Sequence, residues 1–250
     1  MNQWDMIVNM KHVKADVSKQ RSKALCWCAA KLKLAVFCAI AVVCPTSFAQ
    51  EEGGARFGEV KCANLIYAKN KTSVCFSDEF MSQAERDANV KTSKRFTPLN
   101  VESAELFKYP FAVMTGEGEF SLNDKQRKNL FNYLTRGGFV VASAGCSSLP
   151  WATSFQREMK KMFPDNKMRQ LGMDHDIFHT VYDIKALTAK RGNRPVITGL
   201  EVGGRIVMVF AADGLNDTGN AGPNCCCCGG NEIRNAKQVN VNLLVYALTH

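Results

Sequence analysis

The sequence predicts an α/β fold, a three-layer sandwich with a mainly parallel sheet. Two short apolar runs, Phe111 to Met114 and Phe139 to Ala144, flank a segment of helical periodicity. A strand, helix, strand order with short connections implies a parallel pair of strands joined by a right-handed crossover. A second unit of this kind precedes the first, and such sheets bury both faces under helices.

Local signals mark both ends of the helix between these two strands. Asn123 and Gln126 have the spacing of a capping box, and apolar residues then recur at helical intervals up to Arg136. Gly137 and Gly138 favour a left-handed stop. We therefore expect a helix from about Asn123 to Arg136.

Apolar periodicity predicts the other elements of the domain. Gly203 and Gly204 separate two short apolar runs, and a glycine pair suits the turn of a β-hairpin. The expected elements are, in chain order, a strand at Val60 to Tyr67, a helix at Ser73 to Asn89, an extended segment at Val90 to Val101, a helix at Thr153 to Pro164, a loop-rich segment at Gly172 to Arg194, a hairpin of Leu200 to Val202 with Arg205 to Phe210, and a helix at Ile233 to Leu248.

The first 49 residues have the pattern of a signal peptide with a long basic front end. Seven Lys and Arg residues precede an apolar run from Leu34 to Cys44, and Ser47 to Ala49 form a small-x-small cleavage site. The apolar run is too short to cross a hydrocarbon core of about 30 Å. We therefore expect a leader at residues 1–49, a linker at 50–59, a single domain at 60–250, and export to the periplasm or the extracellular space.

The positive charge does not indicate a nucleic-acid partner. The formal net charge is +9, but seven of the basic residues lie in the leader against Asp5 and Asp16. The remaining excess is modest and lacks a clustered basic stripe or a familiar nucleic-acid motif. We expect a small molecule, a saccharide or an envelope protein as the partner, and no stable membrane span once the leader is removed.

Several motifs resemble one bacterial family in the order in which they occur. They are YPFAVMTGEGEFSL, GGFVVAS, SFQREMKKMFPD, DHDIFHTVYDI, GLEVGGRIVMVF and VNVNLLVYALTH. Together they resemble the domain of unknown function numbered 4159, over nearly all of the chain from Val60 onward. The resemblance implies a fold similar to that of class I glutamine amidotransferases, which is flavodoxin-like. It implies no activity, because the function of that family is unassigned.

In parallel sheets, the loops that leave the carboxyl ends of the strands form the ligand crevice. Here these loops are Thr115 to Phe120 and Gly145 to Pro150. Glu117 and Glu119 could form a carboxylate pair like that of glycosidases, but in those enzymes the two acids usually come from different elements. The simpler interpretation is that both are solvated acids of the loop. The candidate ligand-binding residues are Gly116, Glu117, Gly118 and Glu119.

Cys146 is the candidate nucleophile, because it follows a buried strand and Gly145, where an amidotransferase-like fold presents its cysteine. A reactive thiolate needs a base, and His175 and His179 are the candidates. The resemblance is incomplete, since Ser148 occupies the position of the second glycine of the amidotransferase elbow and no His-x-Glu pair follows near the C-terminus. The alternative is a buried or disulfide-bonded cysteine.

The two histidines also suggest a metal or sugar site. His175 and His179 are four residues apart, which on a helix would place both imidazoles on one face. With Glu117 and Glu119 they could bind a divalent ion or a sugar hydroxyl in the crevice. Gly172 and the surrounding polar residues favour a loop instead, in which the histidines simply hold the chain in place.

Four consecutive cysteines form the most unusual segment of the chain. Adjacent thiols do not suit one tetrahedral zinc, because structural zinc sites separate paired cysteines by two or more residues. Disulfides are the default in an oxidising compartment, and the seven cysteines after the leader leave at least one without an internal partner. A metal site and redox chemistry remain as alternatives for Cys225, Cys226, Cys227 and Cys228.

From these patterns we favour an exported binding or accessory module without catalytic activity. The first alternative is a thiol hydrolase or amidotransferase that uses Cys146 with His175 or His179. The second is a metal-binding protein that uses the cysteine run and a divalent ion.

Overall fold

The structure, a computed structural model, describes residues 58–69, 71–72, 74–191, 194–222, 224–225 and 231–250. Gly58–His250 forms a compact unit. The predicted leader, residues 50–57 of the predicted linker and Cys226 to Cys228 lie outside the described residues. No described helix is both long enough and apolar enough to cross a membrane.

The described part of the chain has seven strands and four α-helices, in the order that the sequence predicts except for a two-residue strand at Arg169–Gln170, which the sequence does not indicate. Its strands are β1 (Val60–Ile66), β2 (Thr92–Asn100), β3 (Phe111–Gly116), β4 (Phe139–Ala144), β5 (Arg169–Gln170), β6 (Thr198–Val202) and β7 (Arg205–Ala211). Its α-helices are α1 (Glu79–Ala88), α2 (Asp124–Thr135), α3 (Leu149–Met162) and α4 (Ala236–Thr249).

All seven strands belong to one sheet, in the order β2-β1-β3-β4-β7-β6-β5. The pairs from β2 to β7 are parallel, whereas β6 and β5 add an antiparallel edge. The sheet therefore confirms the predicted α/β class with a mainly parallel sheet. The antiparallel edge begins with the hairpin predicted at Gly203 and Gly204, both of which have positive φ.

Helices cover both faces of the sheet. Phe111 and Val113 of β3 pack in a core with α1 and α4. Ala112 and Met114 of the same strand pack in a second core with α2 and α3. Successive side chains of a strand point to opposite faces, so β3 contributes to both cores, and its apolar run has no polar face.

The predicted start of α1 at Ser73 is wrong, because the residues before Glu79 are held by long-range contacts. Ser77 N donates to Asn216 O over 2.8 Å, and Ser77 Oγ donates to Asn220 O over 2.9 Å. These bonds tie the segment to the loop after β7 and prevent it from entering a helical turn. The helix begins only after this anchor.

The predicted start of α3 at Thr153 is also wrong, because Ser148, five residues earlier, caps the helix. The Ser148 side chain accepts a hydrogen bond from Trp151 N, and a proline lies in the first turn, where its missing N–H costs no helical bond. The helix therefore begins at Leu149, inside the loop expected to follow β4. By contrast, α2 has the complete capping box that Asn123 and Gln126 predict.

Candidate functional site

The loops after β3 and β4 meet directly at the carboxyl edge of the sheet. A Cβ built on Gly145 would lie 3.0 Å from Gly116 O and 3.2 Å from Glu117 Cγ. Gly118 N donates to Ser148 Oγ over 3.1 Å. The structure thus brings the predicted crevice residues together, with no room for a side chain at Gly145.

An aromatic pair forms the wall beside Gly116. Tyr67 OH donates to Thr115 O over 2.9 Å, and Trp151 Nε1 donates to Tyr67 OH over 2.5 Å. Both rings are buried, and burial raises the pKa of Tyr67 above its usual range. A Cβ on Gly116 would lie only 2.6 Å from the Tyr67 hydroxyl oxygen. The glycine is therefore required by packing at this position.

A buried polar layer supports the crevice from below. Thr115, Ser143 and Asn216 are all at most 2% exposed. Ser143 Oγ donates to Asn216 Oδ1 and accepts from Leu215 N over 2.8 Å. Asn216 Nδ2 lies 3.3 Å from Thr115 Oγ1. Because these polar groups satisfy one another, the ends of β3, β4 and β7 are held together as one rigid floor.

Sequence reasoning missed this polar layer. Thr115 and Ser143 interrupt otherwise apolar strand runs near their carboxyl ends, and buried hydroxyl groups require partners. That interruption is the signal that could have indicated a polar cluster at the edge. Asn216 gives no comparable signal, because it lies in a polar loop and only the fold brings it to the strands.

Cys146 lies in a loop whose backbone is unusual for side-chain-bearing residues. Cys146 has φ of 52° and Ser147 has φ of 54°, and both therefore occupy the left-handed region, which is sterically costly for residues other than glycine. Ser147 Oγ donates to Asp213 O over 2.8 Å. This bond and the Ser148 contact to the β3 loop hold the loop in its conformation.

The Cys146 side chain is half-buried and disulfide-bonded. A carboxylate lies beside this cysteine, since Cys146 Sγ is 3.1 Å from Glu117 Oε1. In the bonded state the sulfur carries no proton, and the pair is a close contact rather than a hydrogen bond. A reduced thiol at this position would donate to the carboxylate.

Glu117 and Glu119 are exposed at the mouth of the crevice. Lys71 Nζ donates to the backbone oxygen of Glu117 over 2.6 Å, which fixes the main chain of the β3 loop. Gly118 between the glutamates has φ of 67°, so the loop turns sharply there. The β3 loop therefore presents two exposed carboxylates and is held at its backbone.

His175 lies at the opposite edge of the sheet from Cys146. Its ring centroid is 6.0 Å from that of Tyr246, and Tyr246 OH accepts from Ile206 N at the start of β7. The neighbouring Arg205 donates to Gly137 O, just before β4. Cys146 follows the other end of β4, which at 3.3 Å per residue is roughly 20 Å away. The structure does not bring His175 to the candidate nucleophile.

His179 is also occupied elsewhere. Its Nδ1 lies 2.6 Å from Asp183 Oδ1, and its Nε2 lies 2.6 Å from Met173 O. Hydrogen bonds from Lys185 and His179 hold the pKa of Asp183 below its ordinary value. The two histidines follow the loop interpretation, since His175 caps a single 3₁₀ turn, Asp176–Phe178, and His179 joins the two ends of its own loop.

A second disulfide lies on the same side of the molecule as the crevice. Cys75 is bonded to Cys225, and Cys75 is only 6% exposed. The bridge joins the segment after β1 to the loop after β7. Cys62 is a free, buried cysteine, and burial raises the pKa of its thiol above the usual range.

The structure offers no metal centre in the part of the chain that it describes. No group of three or more His, Cys, Asp or Glu side chains there is arranged to hold an ion. Cys225 of the predicted metal site is bonded to Cys75, and the other three cysteines of the run lie outside the described residues. The metal site at the cysteine run stays a prediction.

Comparison with known proteins identifies the family of the chain. A search of curated proteins gave no match. Residues 61–248, which include all of the sheet except Val60 and all four helices except Thr249, match a family described as a domain of unknown function. The chain therefore belongs to the domain of unknown function 4159 family.

Proposed function

We propose that the protein is an exported binding module without catalytic activity, and that its ligand site is the crevice between the β3 and β4 loops. One observation carries this proposal: the sulfur at the nucleophile position is disulfide-bonded and lies 3.1 Å from a carboxylate oxygen of Glu117. A carboxylate beside a thiol disfavours the thiolate that nucleophilic catalysis requires. Neither His175 nor His179 supplies the missing imidazole.

The topology supports a ligand site at this edge. The five parallel strands follow the order β2-β1-β3-β4-β7, which corresponds to the flavodoxin-like order of doubly wound sheets, where ligands bind outside the carboxyl ends of the strands. The same order supports the fold expected from the amidotransferase resemblance. Export rests on the basic and apolar pattern of residues 1–49.

The chemistry of the crevice favours a ligand with hydroxyl or ammonium donors, such as a saccharide or an amino sugar. Glu117 and Glu119 offer carboxylate acceptors, and hydrogen bonds to charged acceptors are among the stronger ones. The floor of Thr115, Ser143 and Asn216 is fully buried and internally bonded. A site that is rigid before binding loses less conformational entropy when the ligand arrives.

Two assays on the full chain test the proposal. In the first, oxidised and reduced protein and a Cys146→Ala variant are incubated with glutamine and with p-nitrophenyl acetate. We expect the wild type to release no more product than Cys146→Ala. Turnover that depends on Cys146 would overturn the assignment and support the thiol hydrolase instead.

In the second assay, thermal unfolding is followed with a panel of monosaccharides, amino sugars and short oligosaccharides at millimolar concentration. We expect at least one of these probes to raise the melting temperature of the wild type and not that of a Glu117→Gln, Glu119→Gln double variant. Glu201→Gln, an exposed glutamate on β6, is the matched control and should respond as the wild type does. A shift that survives the double variant would place the ligand elsewhere.

A further inference from the structure

A cavity of about 400 Å³ lies at the antiparallel edge of the sheet, and we call it the edge cavity. Leu171, Gly199 and Ile206 line it and are all buried. A Cβ built on Gly199 would lie 2.9 Å from Leu171 Cδ2 and 3.1 Å from Ile206 Cδ1. These two side chains therefore close over the glycine and give the cavity an apolar base. Its volume falls within the range of small-molecule sites, roughly 300–1,000 Å³.

Arg169 lines the edge cavity without a partner of opposite charge. It pairs with Gly199 in the ladder between β5 and β6, and residues directly opposite each other lie on one face of a sheet. Because Gly199 has no side chain, no group of β6 is directly opposite Arg169. Among the described residues, none forms an ion pair or a hydrogen bond with its guanidinium. Lys167, a second cation that lines the cavity, is likewise without an ion pair to any residue that the structure describes.

His175 lines the same cavity and has one ring nitrogen left to donate. Its Nδ1 accepts a hydrogen bond from Ile177 N over 3.1 Å, so in the neutral ring the proton is on Nε2. No group in the described part of the chain accepts a hydrogen bond from Nε2. The bond at Nδ1 and the neighbouring Tyr246 ring, 6.0 Å away between centroids, hold the imidazole in place. A fixed N–H donor is therefore available to a ligand.

Two carboxylates that line the edge cavity lie toward its other end. Glu201 is two residues beyond Gly199 on β6, which is about 7 Å along the strand. Asn166 Nδ2 donates to Glu201 O over 3.0 Å, so the adjacent Asp165 belongs to that end as well. The cavity is thus positive near Arg169 and negative near Asp165. This arrangement favours an anion with a single charge over a multiply charged one.

We propose that the edge cavity binds a small monocarboxylate with an apolar group, and that Arg169 and the Nε2–H of His175 hold its carboxylate. The planar guanidinium donates two parallel hydrogen bonds that match the two oxygens of a carboxylate. The apolar group then lies on Leu171 and Ile206, where it is removed from water. This second site is separate from the crevice between the β3 and β4 loops and does not depend on the ligand proposed there.

The test is a ligand-observed NMR titration of the full chain with isovalerate, a branched monocarboxylate, at pH 7. We expect saturable binding. Isovaleramide lacks the charge and acetate lacks the branched apolar group, so each should bind about tenfold more weakly. Inorganic phosphate should not displace isovalerate, because the two carboxylates of the cavity disfavour a dianion. Phosphate that competes as well as unlabelled isovalerate would overturn the assigned ligand class.

Variants locate the binding in the cavity. Arg169→Ala should weaken isovalerate binding about tenfold, and Arg169→Lys by less, because lysine keeps the charge and loses the two-pronged geometry. Arg95→Ala is the matched control, since Arg95 is an exposed arginine on the other edge strand, β2, and should bind isovalerate as the wild type does. His175→Asn tests the second donor, because asparagine can still cap the turn at Ile177 N but lacks the imidazole Nε2–H.

Three results would overturn the proposal. The first is a wild type that shows no saturable binding of isovalerate, and the second is equal affinity in Arg169→Ala and Arg95→Ala. The third is wild-type affinity in His175→Asn, since loss of a hydrogen bond to a charged group should weaken binding about tenfold. Far-UV circular dichroism establishes that each variant is folded. Arg169 is exposed, so its two variants keep the proposal open to refutation even if His175→Asn does not fold.

Discussion

Trp151 and Tyr67 share a buried hydrogen bond, Nε1 to hydroxyl oxygen over 2.5 Å, and the pair fills the space in which a side chain at Gly116 would lie. Tyr67 directly follows β1, and Trp151 lies in the first turn of α3. The bond therefore connects both elements to β3 beneath the crevice. Because the two side chains occupy this space, only glycine fits at position 116, where the β3 loop begins.

Gly116→Ala should destabilise the fold. The new Cβ would lie 2.6 Å from Tyr67 OH and 3.0 Å from Trp151 Nε1, and both rings are fully packed. Overpacking of this kind costs about 1–3 kcal/mol, which a urea titration followed by tryptophan fluorescence would measure. Gly219→Ala is the matched control, because a Cβ there meets nothing within 4 Å; equal midpoints for the two variants would contradict the packing explanation.

Asn216→Ala should also destabilise the protein, although the residue lies in a loop. Asn216 is 2% exposed, and its removal leaves the buried hydroxyls of Ser143 and Thr115 without their partner. An unsatisfied buried polar group costs about 1–3 kcal/mol. The free energy of unfolding from urea titration is the measurement, and Asn166→Ala is the control, since it loses one exposed bond to Glu201 O and should change stability by less than about 0.5 kcal/mol.

Loss of the Cys75–Cys225 bridge should be the largest single effect among these variants. The cysteines are 150 residues apart in sequence, and a disulfide that closes a long loop restricts the unfolded chain most. We expect Cys75→Ala, Cys225→Ala to lower the free energy of unfolding by about 2–5 kcal/mol.

The check on this bridge is unfolding with and without a reductant. Reductant should destabilise the wild type more than the double variant, because the variant has no Cys75–Cys225 bond left to lose. If reductant affected both proteins equally, the stabilisation would have to come from another bond. Far-UV circular dichroism of the oxidised variant establishes that it has folded before the comparison is made.

The parts of the fold that the sequence predicts well are those coded by neighbouring residues. The capping box of Asn123 and Gln126 needs only four residues to form, and the glycine pair at Gly203 and Gly204 needs only its flanking strands. The start of α1 could not be predicted in this way, because Ser77 is held by carbonyl groups more than a hundred residues away in sequence.

The candidate site also has features that neighbouring residues predict and features that depend on long-range contacts. The crevice loops follow from strand order alone, because parallel strands end at one edge, and so Glu117 and Cys146 meet as neighbours. Whether His175 joins them depends on the direction in which β5 and β6 add to the sheet. β6 is antiparallel to β7, as the predicted hairpin requires, and β5 is antiparallel to β6; no local pattern in the sequence indicates the two-residue strand β5.

Glu158 should make stability depend on pH. Its side chain is fully buried in α3 and pairs with Arg127 at 2.8 Å and Lys161 at 2.9 Å. Burial raises the pKa of this carboxyl group, but the hydrogen bonds from Lys161 and Arg127 outweigh it, so the pKa lies below the ordinary value. The unfolded chain therefore binds a proton at a higher pH than the folded protein does.

The sign of the effect follows from this order of pKa values. The stabilisation is complete above the unfolded pKa of about 4.3 and is lost as the pH falls through the lower pKa of the folded state. At pH 7, Glu158→Gln should cost about 1–3 kcal/mol, because charged hydrogen bonds are lost, and its deficit relative to wild type should shrink as the pH approaches 3. Urea titrations at pH 7, 5, 4 and 3 measure this, with Glu105→Gln as the control. Glu105 pairs with Lys108 on the exposed surface, where ion pairs contribute little. The stability of Glu105→Gln should therefore follow that of the wild type at every pH. A deficit in Glu158→Gln that stays constant down to pH 3 would mean that the charge of Glu158 does not stabilise the fold.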